Sequence, residues 1–171
     1  MARPQPNECA PYYQKYIALA QGNSVKEIVE NHSWKLQEFF NSLPDEKADY
    51  AYDEGKWIVK EVLQHLTDAE KIFAYRALRI SRNDETPLAS FDENAYVENG
   101  FASTRALSSL KQEFNAVRAA TDIFLLSLND EQIKRMGTAS NNPVSVNALA
   151  FIIYGHLLHH QNILRERYGV K

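Results

Sequence analysis

The sequence predicts an all-α fold, a four-helix bundle with short extra helices at its N-terminus and in its connections. Three observations carry that expectation. Four long segments repeat apolar residues at helical period, glycine and proline are sparse at six each, and no segment alternates convincingly as a strand would. Residues 1–11, which include Pro4, Pro6 and Pro11, are expected to form an arm, and residues 12–171 a single domain.

Tyr12 to Ala20 reads as a short helix ended by Gly22. Ser24 and Glu27 stand three apart, as in a capping box, and open helix one, from about Val25 to Asn41. Its buried stripe is Val25, Ile28, His32, Leu36 and Phe39 or Phe40, and Leu43-Pro44 stops it. Helix two begins near Trp57 and ends near Arg82. Its stripe is Ile58, Val62, His65, Ala69, Ile72 and Arg76, widened by Leu66 and Phe73. Residues 85–100 make a long connection with a helical turn at Asp92 to Val97, and long connections in compact domains often cover a site. Helix three spans about Thr104 to Leu126, with Leu107, Leu110, Phe114, Val117, Thr121 and Phe124 inward. After a linker with a helical turn at Glu131 to Met136, Ser145 caps helix four, which runs to about Tyr168 before Gly169.

Composition narrows the function classes. The formal net charge is −3 with no large block of one sign, which argues against a nucleic-acid binder. Cys9 is the single cysteine, so an internal disulfide and a cysteine-rich zinc site are excluded. No apolar run is long enough to span a bilayer and the first residues lack a signal core. A cytoplasmic protein is expected.

The histidines are the informative residues. His156 and His160 are spaced i, i+4, about 40° apart on a helix, so both reach one ligand from one side. His65 lies on the buried stripe of helix two and supplies a third imidazole. His159 sits further from the stripe of helix four, and His32 has no partner at i+3 or i+4, so both rank below the three. Neutral imidazole ligates zinc, nickel, copper or ferrous iron. Three ligands leave positions where water becomes a nucleophile or a substrate thiolate binds. There is no Glu-x-x-His, no His-Glu-x-x-His and no glycine-rich phosphate loop.

Asp68, three residues after His65, is a candidate to orient an imidazole or act as acid or base. Glu70 is expected on the surface. The planar fork of Arg76 suits a carboxylate, whether an ion-pair partner in the fold or a substrate group, and Arg167 is read as an ion-pair residue. Trp57, Tyr96 and Tyr154 are pocket or core aromatics, and Leu78 and Ile80 could serve a dimer interface.

The segments GKWIVKEVLQHLTDAE at 55–70, FAYRALR at 73–79, FDENAY at 91–96, and GHLLHH at 155–160 followed by ILRERY at 163–168 resemble the DinB/YfiT-like superfamily of metal-dependent helical-bundle proteins. The resemblance runs from helix one to the C-terminus. It implies an up-down-down-up bundle and a divalent metal on His65, His156 and His160, usually zinc or nickel, with iron or manganese as alternatives. It also implies a homodimer and a small-molecule substrate. The implied activity is thiol S-transfer, with a low-molecular-weight thiol such as bacillithiol or mycothiol, or hydrolysis or isomerisation. The alternative is a non-catalytic metal-binding stress-response or interaction protein. One departure stands out: Leu157 occupies the place after the first histidine where many relatives carry glutamate.

Overall fold

The computed structural model describes residues 2–171, so Met1 of the expected arm lies outside the described residues. The described chain has seven α-helices: α1 (Gln14–Leu19), α2 (Val25–Asn41), α3 (Val59–Ser81), α4 (Glu93–Gly100), α5 (Leu107–Leu126), α6 (Asp130–Lys134) and α7 (Val146–Glu166). It also has two short strands, β1 (Met136–Ala139) and β2 (Asn142–Ser145). The four long helices are those expected. No helix among the described residues is long and apolar enough to cross a membrane.

Around the bundle the order is α2, α5, α3, α7, each helix packing on its two neighbours. Residue pairs fix the directions. Ser33 and Asn41 of α2 meet Asp122 and Asn115 of α5, so those two run antiparallel. Gln64 and Lys71 of α3 reach Arg105, just before α5, and Glu113 within it, so those two run parallel. His32 and Phe39 of α2 face Tyr154 and Arg165 of α7, again parallel. The long helices therefore run up, down, down, up in chain order.

Local chemistry sets the helix ends. The Ser24 hydroxyl accepts from Glu27 N at 3.2 Å, while the Glu27 carboxylate turns back to Asn23 N at 2.9 Å. Ser145 accepts from Ala148 N at 2.8 Å and starts α7. α7 is the spine of the molecule: every residue from Val146 to Leu157 is buried. Such a helix needs no polar face until it leaves the core.

The strands correct the expectation of an all-α fold. β1 and β2 pair antiparallel, with Met136 opposite Ser145 and Ala139 opposite Asn142. Ser140 and Asn141 form the two-residue turn with φ of 51° and 60°, the positive angles such a hairpin turn requires. Strands of four residues, one holding Gly137 and the other Pro143, are too short for alternation to register. Gly137 rests on α3: a Cβ there would stand 2.6 Å from Cγ1 of Ile80. Ile80 is thereby core and is removed from any dimer surface, whereas Leu78 is exposed.

A second correction concerns Glu70, which is 2% exposed and not on the surface. It pairs at 2.8 Å with Arg118, which is fully buried and also pairs with Asp122. Tyr154 donates to Asp122 at 2.5 Å, and Ser33 donates to the other Asp122 oxygen. This cluster ties α2, α3, α5 and α7 together at mid-bundle. On α5, Leu107, Leu110, Phe114 and Thr121 are buried as expected, while Arg118 and Leu125 are buried where Val117 and Phe124 are half-buried.

The described part of the arm is pinned. Arg3 donates to the carbonyls of Ile17, Ala20 and Gly22 at 2.6–2.7 Å, closing the C-terminal end of α1. Ser145 donates to Glu8 at 2.6 Å, and Cys9 is buried.

Candidate metal centre

His65 projects from α3 toward α7, where His156 and His160 lie one turn apart. Their ligand nitrogens all fall within 4.8 Å of one another. Nε2 of His65 stands 3.1 Å from Nε2 of His156, and the three ring centroids are 4.7–5.0 Å apart. These are the three residues that sequence spacing singled out, and the fold brings them together.

Aromatic rings surround them. Trp57 packs on His65 at 4.8 Å, Phe73 approaches His156 at 6.0 Å, and Tyr16 lies against both His156 and His159. Burial sets their charge. It depresses His65 to about 4. Burial, with help from His65 and His159, depresses His160 to about 3. His156 is pushed well below the usual range by burial and by its three histidine neighbours. All three rings are neutral at pH 7 and carry free lone pairs, the state in which imidazole ligates a cation.

The donor set fits a divalent ion. Two nitrogens about 2.0–2.1 Å from one ion at near-tetrahedral angles stand roughly 3.3 Å apart, close to the His65–His156 separation. Nδ1 of His160 is buried without a hydrogen-bond partner. A buried polar atom without a partner is costly unless something binds it.

The histidines line a pocket of about 280 Å³ that also holds Tyr12, Tyr13, Tyr16, Phe91, Glu93 and Ser140. His160 and Trp57 border a second pocket of about 240 Å³ toward Tyr52 and Tyr168. The long connection after α3 does reach the site, through Phe91 and Glu93. Sequence reasoning missed the N-terminal tyrosines, Glu93 and Ser140. The tyrosines' only signal was a run of aromatics beside a proline, which does not say what it packs against.

The other candidates sit elsewhere. Asp68 accepts from Gln64 at 3.0 Å and pairs with Lys71 at 3.6 Å, outside the pocket lining. His32 accepts from Gln21 N at 2.9 Å and closes the α1–α2 turn. His159 lines the pocket rim without joining the three-nitrogen cluster. Arg167 donates to the Tyr52 hydroxyl at 2.9 Å in place of the expected ion pair. Tyr154 belongs to the Arg118 cluster.

The sequence profile of the DinB superfamily matches residues 30–164. The chain belongs to the DinB superfamily. Among its relatives, the Bacillus subtilis (strain 168) protein YfiT, provisionally named a metal-dependent hydrolase, is 27% identical over 120 residues, 70% of this chain and 67% of YfiT. A protein of the same provisional description from Oceanobacillus iheyensis is 30% identical over 69 residues, 40% of this chain and 39% of its own length. The solved YfiT structure, described as an unusual four-helix bundle, superposes with a TM-score of 0.67 at 23% identity, covering 99% of this chain and 94% of YfiT. The mycothiol-dependent maleylpyruvate isomerase superposes with a TM-score of 0.66 at 11% identity, covering 88% of this chain and 59% of the isomerase. At these identities the superpositions show the fold alone.

Proposed function

We propose that this DinB superfamily member is a metal-dependent enzyme acting on small molecules, with His65, His156 and His160 as the ligands. The observation that carries this is the convergence of three neutral imidazoles at the wall of a pocket. A closed structural site would add a fourth protein ligand, and among the described residues no further histidine, cysteine or carboxylate joins the cluster. Zinc or nickel suits an all-nitrogen donor set better than iron or manganese.

When bound, the ion supplies Lewis-acid activation of water or a thiolate. The protein supplies the rest. Tyr16, Trp57 and Phe73 hold the rings in place and exclude water from their flanks. Glu93, the only carboxylate lining the pocket among the described residues, takes or returns the proton in this reading. Asp68 is engaged by Gln64 and Lys71 and acts only through the field it adds to α3.

Hydrolysis and thiol transfer are both compatible with this site. The provisional hydrolase name of YfiT supports the first, while the mycothiol-dependent isomerase shows that the same bundle serves a thiol-dependent reaction of another class. The test begins with elemental analysis of tag-free protein. One divalent ion per chain is expected, lost in His65→Ala, His156→Ala and His160→Ala and kept in His159→Ala. Turnover of ester and epoxide panels with and without a low-molecular-weight thiol then separates transferase from hydrolase. Metal-free wild-type protein that cannot be reloaded with zinc or nickel would sink the proposal. Stoichiometric metal without turnover in any panel would favour a metal-binding stress or interaction protein.

A further inference from the structure

Eleven residues beyond His65 on α3 stands Arg76. Eleven residues make three turns plus about 20°, so the two side chains leave the same helix face about 16 Å apart along the axis. Helical side chains lean toward the N-terminus, which tilts Arg76 back toward the histidines. Between them on this face lie Ala69, whose small side chain keeps the pocket wall open, and Phe73.

Arg76 is 3% exposed, yet no carboxylate of a described residue lies within ion-pair distance of it. Its partners are neutral: Nη2 donates to the Ala89 carbonyl at 2.7 Å and the Ser140 hydroxyl at 3.0 Å, and the Tyr13 hydroxyl is its third polar neighbour. A buried cation without an anion is expensive, and natural folds pair such groups. This fold does so for Arg118, which has two carboxylates. Arg76 lines a pocket of about 210 Å³ walled by Val144, Leu149 and Ile152, in which it is the only cation among the described residues. That pocket shares Tyr12, Tyr13, Phe73 and Ser140 with the histidine pocket, so the two lie side by side across these residues.

We propose that Arg76 is the anchor for a substrate carboxylate, and that the substrate is an organic monoanion with an apolar spacer between its carboxylate and its reacting group. A planar fork in an apolar pocket with a single positive charge recognises a carboxylate. The spacer passes Phe73 and brings the far end of the molecule to His65, His156 and His160. The role of that far end rests on the metal-dependent reading above, whereas the carboxylate site does not.

Calorimetric titration of zinc-loaded and metal-stripped protein with hexanoate and octanoate, and with the corresponding amides, tests the assignment. The carboxylates are expected to bind both forms of the wild type, with the amides weaker by about tenfold or more. Arg76→Gln should lower carboxylate affinity by about tenfold or more while zinc uptake stays unchanged, and Arg76→Lys should fall between. Equal affinity for acid and amide in the wild type, which needs no variant, overturns the proposal. So does carboxylate binding that survives Arg76→Gln, or binding of neither acid. If zinc fails to bind while the acid–amide difference persists, the metal reading falls and the Arg76 site stands. If zinc binds without that difference, the reverse holds.

Discussion

Gly155 and Tyr16 touch backbone to backbone: a Cβ at Gly155 would run into the Tyr16 carbonyl and come within 2.9 Å of its Cα. This contact lets α1 lie directly on α7, one residue before His156. It sets the Tyr16 ring 5.5 Å from His156 and 5.2 Å from His159. Backbone cannot move aside as a flexible side chain can, so Gly155→Ala must displace α1. A loss of roughly 1–3 kcal/mol in urea unfolding is expected, as for an overpacked core. The metal-loaded form should lose more than the metal-free form, because Tyr16 is then pulled from the ligand ring. Equal losses in the two forms would show that α1 does not brace the metal centre.

How much of this was legible beforehand can be argued from particular residues. His65, His156 and His160 were readable because helix geometry converts spacing directly into direction, and each sits on an apolar stripe. Tyr16 was not, because its position depends on which helix α1 crosses, and the only trace is one glycine among many apolar neighbours in α7. Glu70 looked like a surface residue because its partner Arg118 is 48 residues away. A buried pair is invisible to a pattern that scores each helix alone. The hairpin at 136–145 was hidden by its length and by positive φ at Ser140 and Asn141 where no glycine announces a turn.

The Arg118 cluster gives a second test. Arg118→Leu leaves Glu70 and Asp122 buried without a cation, and a loss of about 3–5 kcal/mol is expected at neutral pH. Glu70 is already held above the ordinary carboxylate range by burial, against the opposing pull of Arg118. Removing the arginine raises it further. A carboxyl whose folded pKa exceeds its unfolded value stabilises most at low pH and loses that contribution as pH rises. The urea midpoint of Arg118→Leu should therefore recover from pH 8 to pH 5.5 relative to wild type. A constant gap between the two proteins across that range would show that Glu70 does not titrate with the loss.

The depressed histidines make the metal-free protein sensitive to acid. Burial depresses His65 to about 4 in the folded protein, against its ordinary value of 6.5 in the unfolded chain. Between those values the unfolded chain binds the extra proton, so stability is full above 6.5 and falls as pH drops toward 4. Comparison with metal-free His65→Phe reads the effect together with its coupling to His156 and His160, since the variant lacks the titrating group in both states. The wild type should lose roughly 3 kcal/mol relative to the variant across that window. Zinc should stabilise the wild type but not the variant near neutral pH, and that gain should fade on acidification, because protons compete with the ion for the same lone pairs. A flat difference between pH 7 and pH 4 would mean that His65 is not desolvated as its burial implies.

The last prediction separates the two carboxylates near the site. Glu93 lines the pocket from the first turn of α4, whereas Asp68 is held between Gln64 and Lys71. A proton carrier needs reach to the reacting group, and a general acid or base contributes about 10²–10⁴-fold. With a substrate from the ester or epoxide panels, Glu93→Gln should lower kcat by at least about 10²-fold with metal content and KM little changed. Its pH–rate profile should lose one limb. Asp68→Asn should change kcat by less than about threefold, as expected of a partly exposed charge outside the pocket. The opposite pattern, with Asp68→Asn removing the limb and Glu93→Gln retaining it, would place the proton transfer on α3 and require the Gln64–Asp68 contact to open during turnover.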